Sequence, residues 1–252
     1  MNIHPTQVIA HRGSSGHAPE NTMAAFSLAI EHGADAVELD VRATADGLPV
    51  VLHDERLTRT TGDPRPVSEV DSATLPSLDA GSWFAPEFSD ERTPPLRDVL
   101  ELLRGKLQTC IEIKVKGIEK TIVQTIIDAD AVRHCMVHSF ELETIQRCRE
   151  LCPELGAAWI LQLPDDDPDQ EAPILADRAL AAGISTISVC VANLTHEIIR
   201  DWRRRGLSVF VWTVDSPTAL EVILGAGIDG IITNYPDRAR SLLEPARKAH
   251  AS

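Results

Sequence analysis

The chain has 252 residues, 43% hydrophobic and 25% charged, enough for one large domain with a real core or two small ones. Its formal charge of −14 argues against nucleic acid or an anionic membrane as main partner, because both are held by basic surfaces. The first residues, MNIHPTQVIAHRG, lack a secretory signal's basic start and apolar run, and no apolar stretch approaches the ~18 residues that span a bilayer.

Short β-branched runs alternate with amphipathic segments along the chain. VIAHR (8–12) reads as a strand, followed by a helix over 22–32 with Asn21 as its N-cap and Gly33 at its end. AVELDV (36–41) is the second strand. VVLHD (50–54) follows the Asp46-Gly47 turn signal and reads as an antiparallel hairpin extension. Residues 55–94 break the rhythm, with Pro64, Pro66, Pro76 and Pro86 and the aromatics Trp83, Phe84 and Phe88. A long irregular stretch in a compact domain is usually functional. Its apolar content predicts an inserted subdomain over the active-site mouth, with the aromatics as its core.

Further strands are expected at CIEIKV (110–115), MVHSF (136–140), AAWIL (157–161), TISVCV (186–191), SVFVWTV (208–214) and GIIT (230–233). Helices over 95–104, 118–130, 141–151, 172–182, 196–205, 217–226 and 237–248 fill the intervals. Ser216-Pro217 supplies a cap with proline at the first helical position, and Gly183, Gly206 and Gly227 mark helix ends. Setting the hairpin extension aside leaves eight strand–helix units, the size of a (β/α)8 TIM barrel formed by residues 1–252 as a single domain. An open doubly wound sheet is the competing architecture. Cysteines 110, 135, 148, 152 and 190 are odd in number, follow no zinc spacing and read as reduced thiols, which fits a cytoplasmic protein.

In a barrel, reactive groups gather at the carboxyl ends of the strands. His11, Arg12, Glu38, Asp40, His53, Glu112, Lys114, His138, Trp212 and Asn234 all fall there. Glu38 and Asp40 share one strand face, Cβ atoms about 6.5–7 Å apart, among apolar neighbours where a lone carboxylate costs several kcal/mol. With Glu112 they offer three oxygen ligands, suited to one divalent cation, Mg²⁺ or Ca²⁺. His11 and His53 can carry protons near neutral pH, and Arg12 and Lys114 supply positive charge for a phosphoryl group. The combination points to phosphoryl transfer on a small anionic substrate.

Other signals have plainer readings. Gly225-Ala-Gly-Ile-Asp-Gly230 matches GxGxxG but closes a helix and leads into a strand, the reverse of a dinucleotide fingerprint. His138 is read as support, Glu20 as favouring a helix start, and Asp165-Asp166-Asp167 as a solvated loop. His4, His17, His32, His134, His196 and His250 are read as solvated or structural.

HRGSSGHAPENTMAAF, VELDVRATADGLPVVLHDERLTRTTG, DAGSWF, CIEIKV, HSF, VWTVD and DGIITNYPD resemble the glycerophosphodiester phosphodiesterases, over residues 8–238. Pro95 and Glu141 are small departures from the family pattern. The resemblance implies a (β/α)8 barrel with an insertion after the second strand. It implies one divalent cation held by Glu38, Asp40 and Glu112, and His11 and His53 as general acid and base in an order left open. Arg12 and Lys114 would grip the phosphate and Trp212 would line the substrate pocket. The implied substrates are small soluble phosphodiesters such as glycerophosphocholine or glycerophosphoethanolamine, cleaved to sn-glycerol 3-phosphate and an alcohol. A lysophospholipase D and a non-catalytic phosphodiester binder are the alternatives. Oligomeric state is not encoded in any heptad or exposed apolar stripe.

Overall fold

The computed structural model describes residues 6–250, with side chains as far as Leu243; His4 and the side chain of His250 lie outside that range. Eight parallel strands close into a ring: β1 (Gln7–His11), β2 (Ala36–Ala43), β4 (Gln108–Ile113), β5 (Cys135–Ser139), β6 (Gly156–Leu161), β7 (Thr186–Cys190), β8 (Ser208–Trp212) and β9 (Gly230–Thr233). Closure comes from β1, which pairs with β2 on one side and β9 on the other. The open-sheet alternative is thereby excluded. The short β3 (Pro49–Val51) pairs antiparallel with the end of β2, as the Asp-Gly turn predicts.

Outside the ring run α1 (Met23–Glu31), α3 (Leu96–Leu103), α4 (Glu119–Asp128), α5 (Leu142–Leu151), α6 (Pro168–Ala181), α7 (His196–Arg204), α8 (Pro217–Gly225) and α9 (Pro236–His250). The period of two in each strand sorts its side chains. Val8, Val37, Ile111 and Val209 face outward into two large apolar shells shared with the helices. Ile9, Ala36, Cys110, Phe210 and Ile232 face inward and plug the barrel. One step further along each strand, the inward positions become His11, Glu38, Glu112, His138 and Trp212. The apolar plug is the floor of a polar chamber. All five cysteines are free, four of them buried.

Helix boundaries follow the glycine signals: Gly33, Gly183, Gly206 and Gly227 each sit just past a helix end with φ between +67° and +88°. Two caps differ from expectation. Thr22, not Asn21, caps α1, its hydroxyl accepting from Ala25 N. Asn21 instead adopts a left-handed φ of +59° and turns its side chain toward the barrel. Helix α6 starts at Pro168, four residues before the predicted 172, because Asp167 caps Gln170 N and proline is tolerated at the first helical position. Its acidic run is thus half loop and half cap.

Residues 55–94 fold into a short helix α2 (Thr58–Thr61) and 3₁₀ turns at Val67–Glu69, Ser72–Ser77 and Pro86–Phe88. Their apolar core is aliphatic, with Leu57, Val67, Val70 and Leu75 packed on Val50 and Leu52. The aromatic-core expectation fails: Trp83 is 42% and Phe84 36% exposed. Phe84 stacks edge-on against both Trp83 and Phe88, and the Arg59 guanidinium lies over the Trp83 ring. Leucine and valine already fill the small interior, so the large rings stay at its surface.

Candidate active site

Strand register assembles the chamber. His11 stands beside Glu38 across β1–β2, Asp40 beside Glu112 across β2–β4, and Glu112 beside His138 across β4–β5. Ligand oxygens of Glu38, Asp40 and Glu112 all lie within 4.8 Å of one another, and all three side chains are buried. Lys114, one residue past β4, places Nζ 2.5 Å from Glu112 Oε1 and 3.0 Å from Asp40 Oδ1. Arg12 places Nε 3.2 Å from Asp40 Oδ2.

The three acids are not equivalent. Burial alone would raise the Asp40 carboxyl, but Lys114 and Arg12 outweigh it and hold Asp40 below the usual carboxylate range. Glu38 is driven up, first by burial and then by the charges of Asp40 and Glu112. Burial also raises Glu112, against the pull of Lys114. Asp40 Oδ1 has charge contact with Lys114 but no donor in hydrogen-bonding geometry. Three close buried carboxylates, one with an orphaned oxygen and two pushed toward their neutral forms, are relieved by a hard divalent cation with oxygen ligands. The donor set fits Mg²⁺ or Ca²⁺.

Both histidines have a fixed tautomer. Asp215 accepts from the Asn234 backbone N at 2.8 Å and from its side-chain Nδ2 at 2.6 Å. That orients Asn234 Oδ1 toward His11 Nδ1, 2.7 Å away. An amide oxygen only accepts, so His11 carries its proton on Nδ1 and presents Nε2 as the free base. Burial, helped by Arg12, lowers the His11 pKa to about 4, so the ring is neutral at pH 7. His53 Nδ1 lies 2.7 Å from Asp54 Oδ1, which likewise leaves Nε2 free. Asp54 is held at about 2 chiefly by its hydrogen bond from Arg59.

Glu20 departs from its helix-start reading. It bridges Arg12 at 2.9 Å and Arg59 at 2.8 Å, linking the loop after β1 to α2. Asn21 donates to Asp40 Oδ2 at 2.8 Å, and its backbone N–H donates to Arg12 O. Arg12 and Asn21 both have positive φ, +56° and +59°, a conformation that costs about 1–3 kcal/mol at a non-glycine residue and persists only where surroundings enforce it. Gly13, between them at φ +80°, has no such freedom to lose: a Cβ there would meet the Ala25 backbone at 2.6 Å.

The chamber opens through a pocket of about 150 Å³ lined by His11, Arg12, Glu38, His53, Glu112 and Lys114, and also by His138, Phe140, Ser188 and Trp212, with Asp40 just behind it. Trp212 Nε1 donates to Ser188 O at 3.0 Å, and its ring meets Phe140 edge-on at 6.0 Å. His138 is fully buried with Nε2 unpartnered, and burial depresses it to about 3. All eight residues singled out from sequence (His11, Arg12, Glu38, Asp40, His53, Glu112, Lys114 and Trp212) therefore converge here. Asp54, Asp215, Phe140 and Arg59 were missed. Asp54 and Asp215 follow His53 and the VWTV strand directly and were legible as histidine or amide partners; Arg59 and Phe140 gave no sequence signal.

The family model described as Glycerophosphoryl diester phosphodiesterase family matches residues 11–238. The Bacillus subtilis protein YhdW is 38% identical over 234 residues, covering 91% of this chain and 95% of the relative. A glycerophosphodiester phosphodiesterase of Caldanaerobacter subterraneus is 34% identical over 245 residues, covering 94% and 98%. An Oleispira antarctica phosphodiesterase, solved in complex with the product sn-glycerol-3-phosphate, superposes with a TM-score of 0.85 at 27% identity, covering 95% of this chain and 97% of that one.

Proposed function

The chain belongs to the glycerophosphodiester phosphodiesterase family and is an enzyme of that class, and from that premise we propose the assignments of substrate, cation and residue roles that follow. The substrates are small glycerophosphodiesters such as glycerophosphocholine or glycerophosphoethanolamine, cleaved to sn-glycerol 3-phosphate and an alcohol. Glu38, Asp40 and Glu112 hold one divalent cation, Mg²⁺ or Ca²⁺. Bound there, such a cation polarises a phosphoryl oxygen and neutralises charge building on it. Arg12 and Lys114 neutralise the remaining phosphoryl oxygens and hold the ester in line for attack.

His11 and His53 share the proton transfers through Nε2. One takes the proton of the glycerol hydroxyl next to the ester as that oxygen bonds to phosphorus. The other protonates the departing alcohol oxygen as its P–O bond breaks. Water then opens the resulting cyclic phosphate with the two roles exchanged. Trp212 and Phe140 form the apolar wall against the carbon skeleton. Residues 55–94 overhang the mouth, tied to it by the Arg59–Glu20 bridge. The acidic charge, the free cysteines and the want of a membrane-spanning helix among the described residues support a cytoplasmic enzyme with no nucleic-acid partner.

The buried Glu38–Asp40–Glu112 cluster, sharing one pocket with two imidazoles of fixed tautomer, carries this reading. Metal-stripped protein is expected to release sn-glycerol 3-phosphate from glycerophosphocholine only when Mg²⁺ or Ca²⁺ is restored, and Glu112→Gln to release none. Turnover that persists without a cation would sink the assignment. Exposed Trp83 and Phe84 favour one second reading, a lysophospholipid substrate presented at an interface. Faster cleavage of micellar lysophosphatidylcholine than of glycerophosphocholine, slowed by Trp83→Ala, would select it.

A further inference from the structure

Among the described residues only two groups of His, Cys, Asp or Glu bring three ligand atoms within 4.8 Å of one another. One is the carboxylate cluster of the chamber. The other is His17, His32 and Asp237, on the barrel's outer rim. We propose that this second group is a Zn²⁺ site, separate from the active site and unlike it in chemistry.

The three donors come from three segments: the loop after β1, the residue that ends α1, and the first turn of α9. His17 Nε2 lies 3.1 Å from Asp237 Oδ1, close to the roughly 3.3 Å edge of a tetrahedron with zinc–ligand bonds near 2.0 Å. His32 Nδ1 lies 2.8 Å from the hydroxyl of fully buried Ser14, the kind of outer contact that fixes a ligating imidazole, and Nε2 is left as its donor atom. The His17 ring is clamped edge-on between His32 at 5.1 Å and Tyr235 at 5.4 Å. Gly16 permits that clamp, because a Cβ there would collide with the Tyr235 ring.

Electrostatics agree. His32 stands at the carboxyl end of α1, where unpaired carbonyls favour a cation. The nearby guanidiniums are engaged elsewhere, Arg238 over the Tyr235 ring and Arg240 on Gly33 O and Asp35. His17 and Asp237 are about one-third exposed, so an ion can enter from solvent and keep a water in its fourth position. Two imidazoles and one carboxylate suit Zn²⁺, whereas the three carboxylates of the chamber suit a hard cation.

The site would staple the two loops that set His11. Ser15, two residues before His17, places its hydroxyl 2.7 Å from both His11 O and Asn234 Oδ1, its single proton shared between the two acceptors. Asn234 lies three residues before Asp237. Zinc would thus lock from outside the hydrogen bonds that orient the His11 ring from inside.

The test is calorimetric titration of metal-stripped protein with ZnCl₂, in a Glu38→Gln/Glu112→Gln background that disables the chamber. One equivalent is expected to bind, and His32→Ala or Asp237→Asn to weaken it at least about tenfold. The same titration of the otherwise native chain saturated with Mg²⁺ should give the same difference, and Co²⁺ should develop visible bands of tetrahedral coordination. Circular dichroism confirms that each variant is folded. Zinc stoichiometry and affinity unchanged by both His32→Ala and Asp237→Asn, in either background, would overturn the site and leave His17–Asp237 an ordinary surface ion pair.

Discussion

At the scale of single residues, the site depends on side chains that touch no substrate. Asp215, which also accepts from Thr233 Oγ1, orients Asn234, and that fixes which nitrogen of His11 is basic. Asp215→Ala is expected to lower kcat by about 10–100-fold with little change in cation affinity, the penalty typical of losing an orienting partner; an unchanged kcat would show that the tautomer is set otherwise. Glu38→Gln and His53→Ala are expected to cost at least about 10²–10⁴ in activity while far-ultraviolet dichroism stays native. His138 makes a different kind of prediction. It is buried with a pKa near 3, so between pH 6.5 and 3 the unfolded chain takes a proton that the folded chain refuses. Stability present above pH 6.5 is therefore lost as pH falls through that window. By pH 4.5 the loss from this residue is about 2–3 kcal/mol. Urea midpoints at pH 7 and 4.5 should lie closer together in His138→Leu than in the parent.

At the scale of elements, the loop after β1 is the least forgiving piece of chain. Its turn runs through positive φ at Arg12 and Gly13, and the Gly13 position faces the backbone of α1. Gly13→Ala should destabilise by more than about 2 kcal/mol, because a strained φ adds to a backbone clash; thermal unfolding measures it. The helix α2 is coupled to the site by Arg59, which binds Asp54 at 2.7 Å and Glu20 at 2.8 Å. Arg59→Ala is expected to raise KM and lower kcat/KM about tenfold with a small change in melting temperature, since these ion pairs are partly exposed and worth little to folding. A large drop in stability with intact kcat/KM would make Arg59 a structural residue only.

At the scale of the whole molecule, alternation was enough for the barrel. Apolar runs such as VIAHR and GIIT ending at polar residues, with Gly33, Gly183, Gly206 and Gly227 as helix ends, are local signals that tertiary contacts reinforced. The early start of α6 has a local cause, the Asp167 cap; the other failures share one cause. Asn21 has the chemistry of a cap, but Asp40 in the chamber competes for its amide. Glu20 looks like a helix-start acid until Arg12 and Arg59 converge on it. Trp83 and Phe84 read as core because sequence cannot show that Leu57, Val67 and Leu75 already fill the space. In each case the deciding partner is distant in sequence. The proposed cation site predicts ion-dependent stability: Mg²⁺ or Ca²⁺ at a hundred times its Kd should contribute about 2.7 kcal/mol and several degrees of melting temperature, absent in Glu112→Gln.

Ring closure has one more consequence, for the order of events during synthesis. Among the barrel's strands the one bearing His11 is made first, yet the amide that orients its ring lies 223 positions later. On a ribosome releasing roughly 5–20 residues per second, an emerging chain holds Glu38, Asp40 and Glu112 well before Asn234 and Asp215 exist. A nascent fragment therefore contains its three acids before the amide that orients His11 exists. The finished catalyst appears only when the last strand slots in beside the first, and a product truncated before β9 should be inert toward diesters even where its earlier strands have paired.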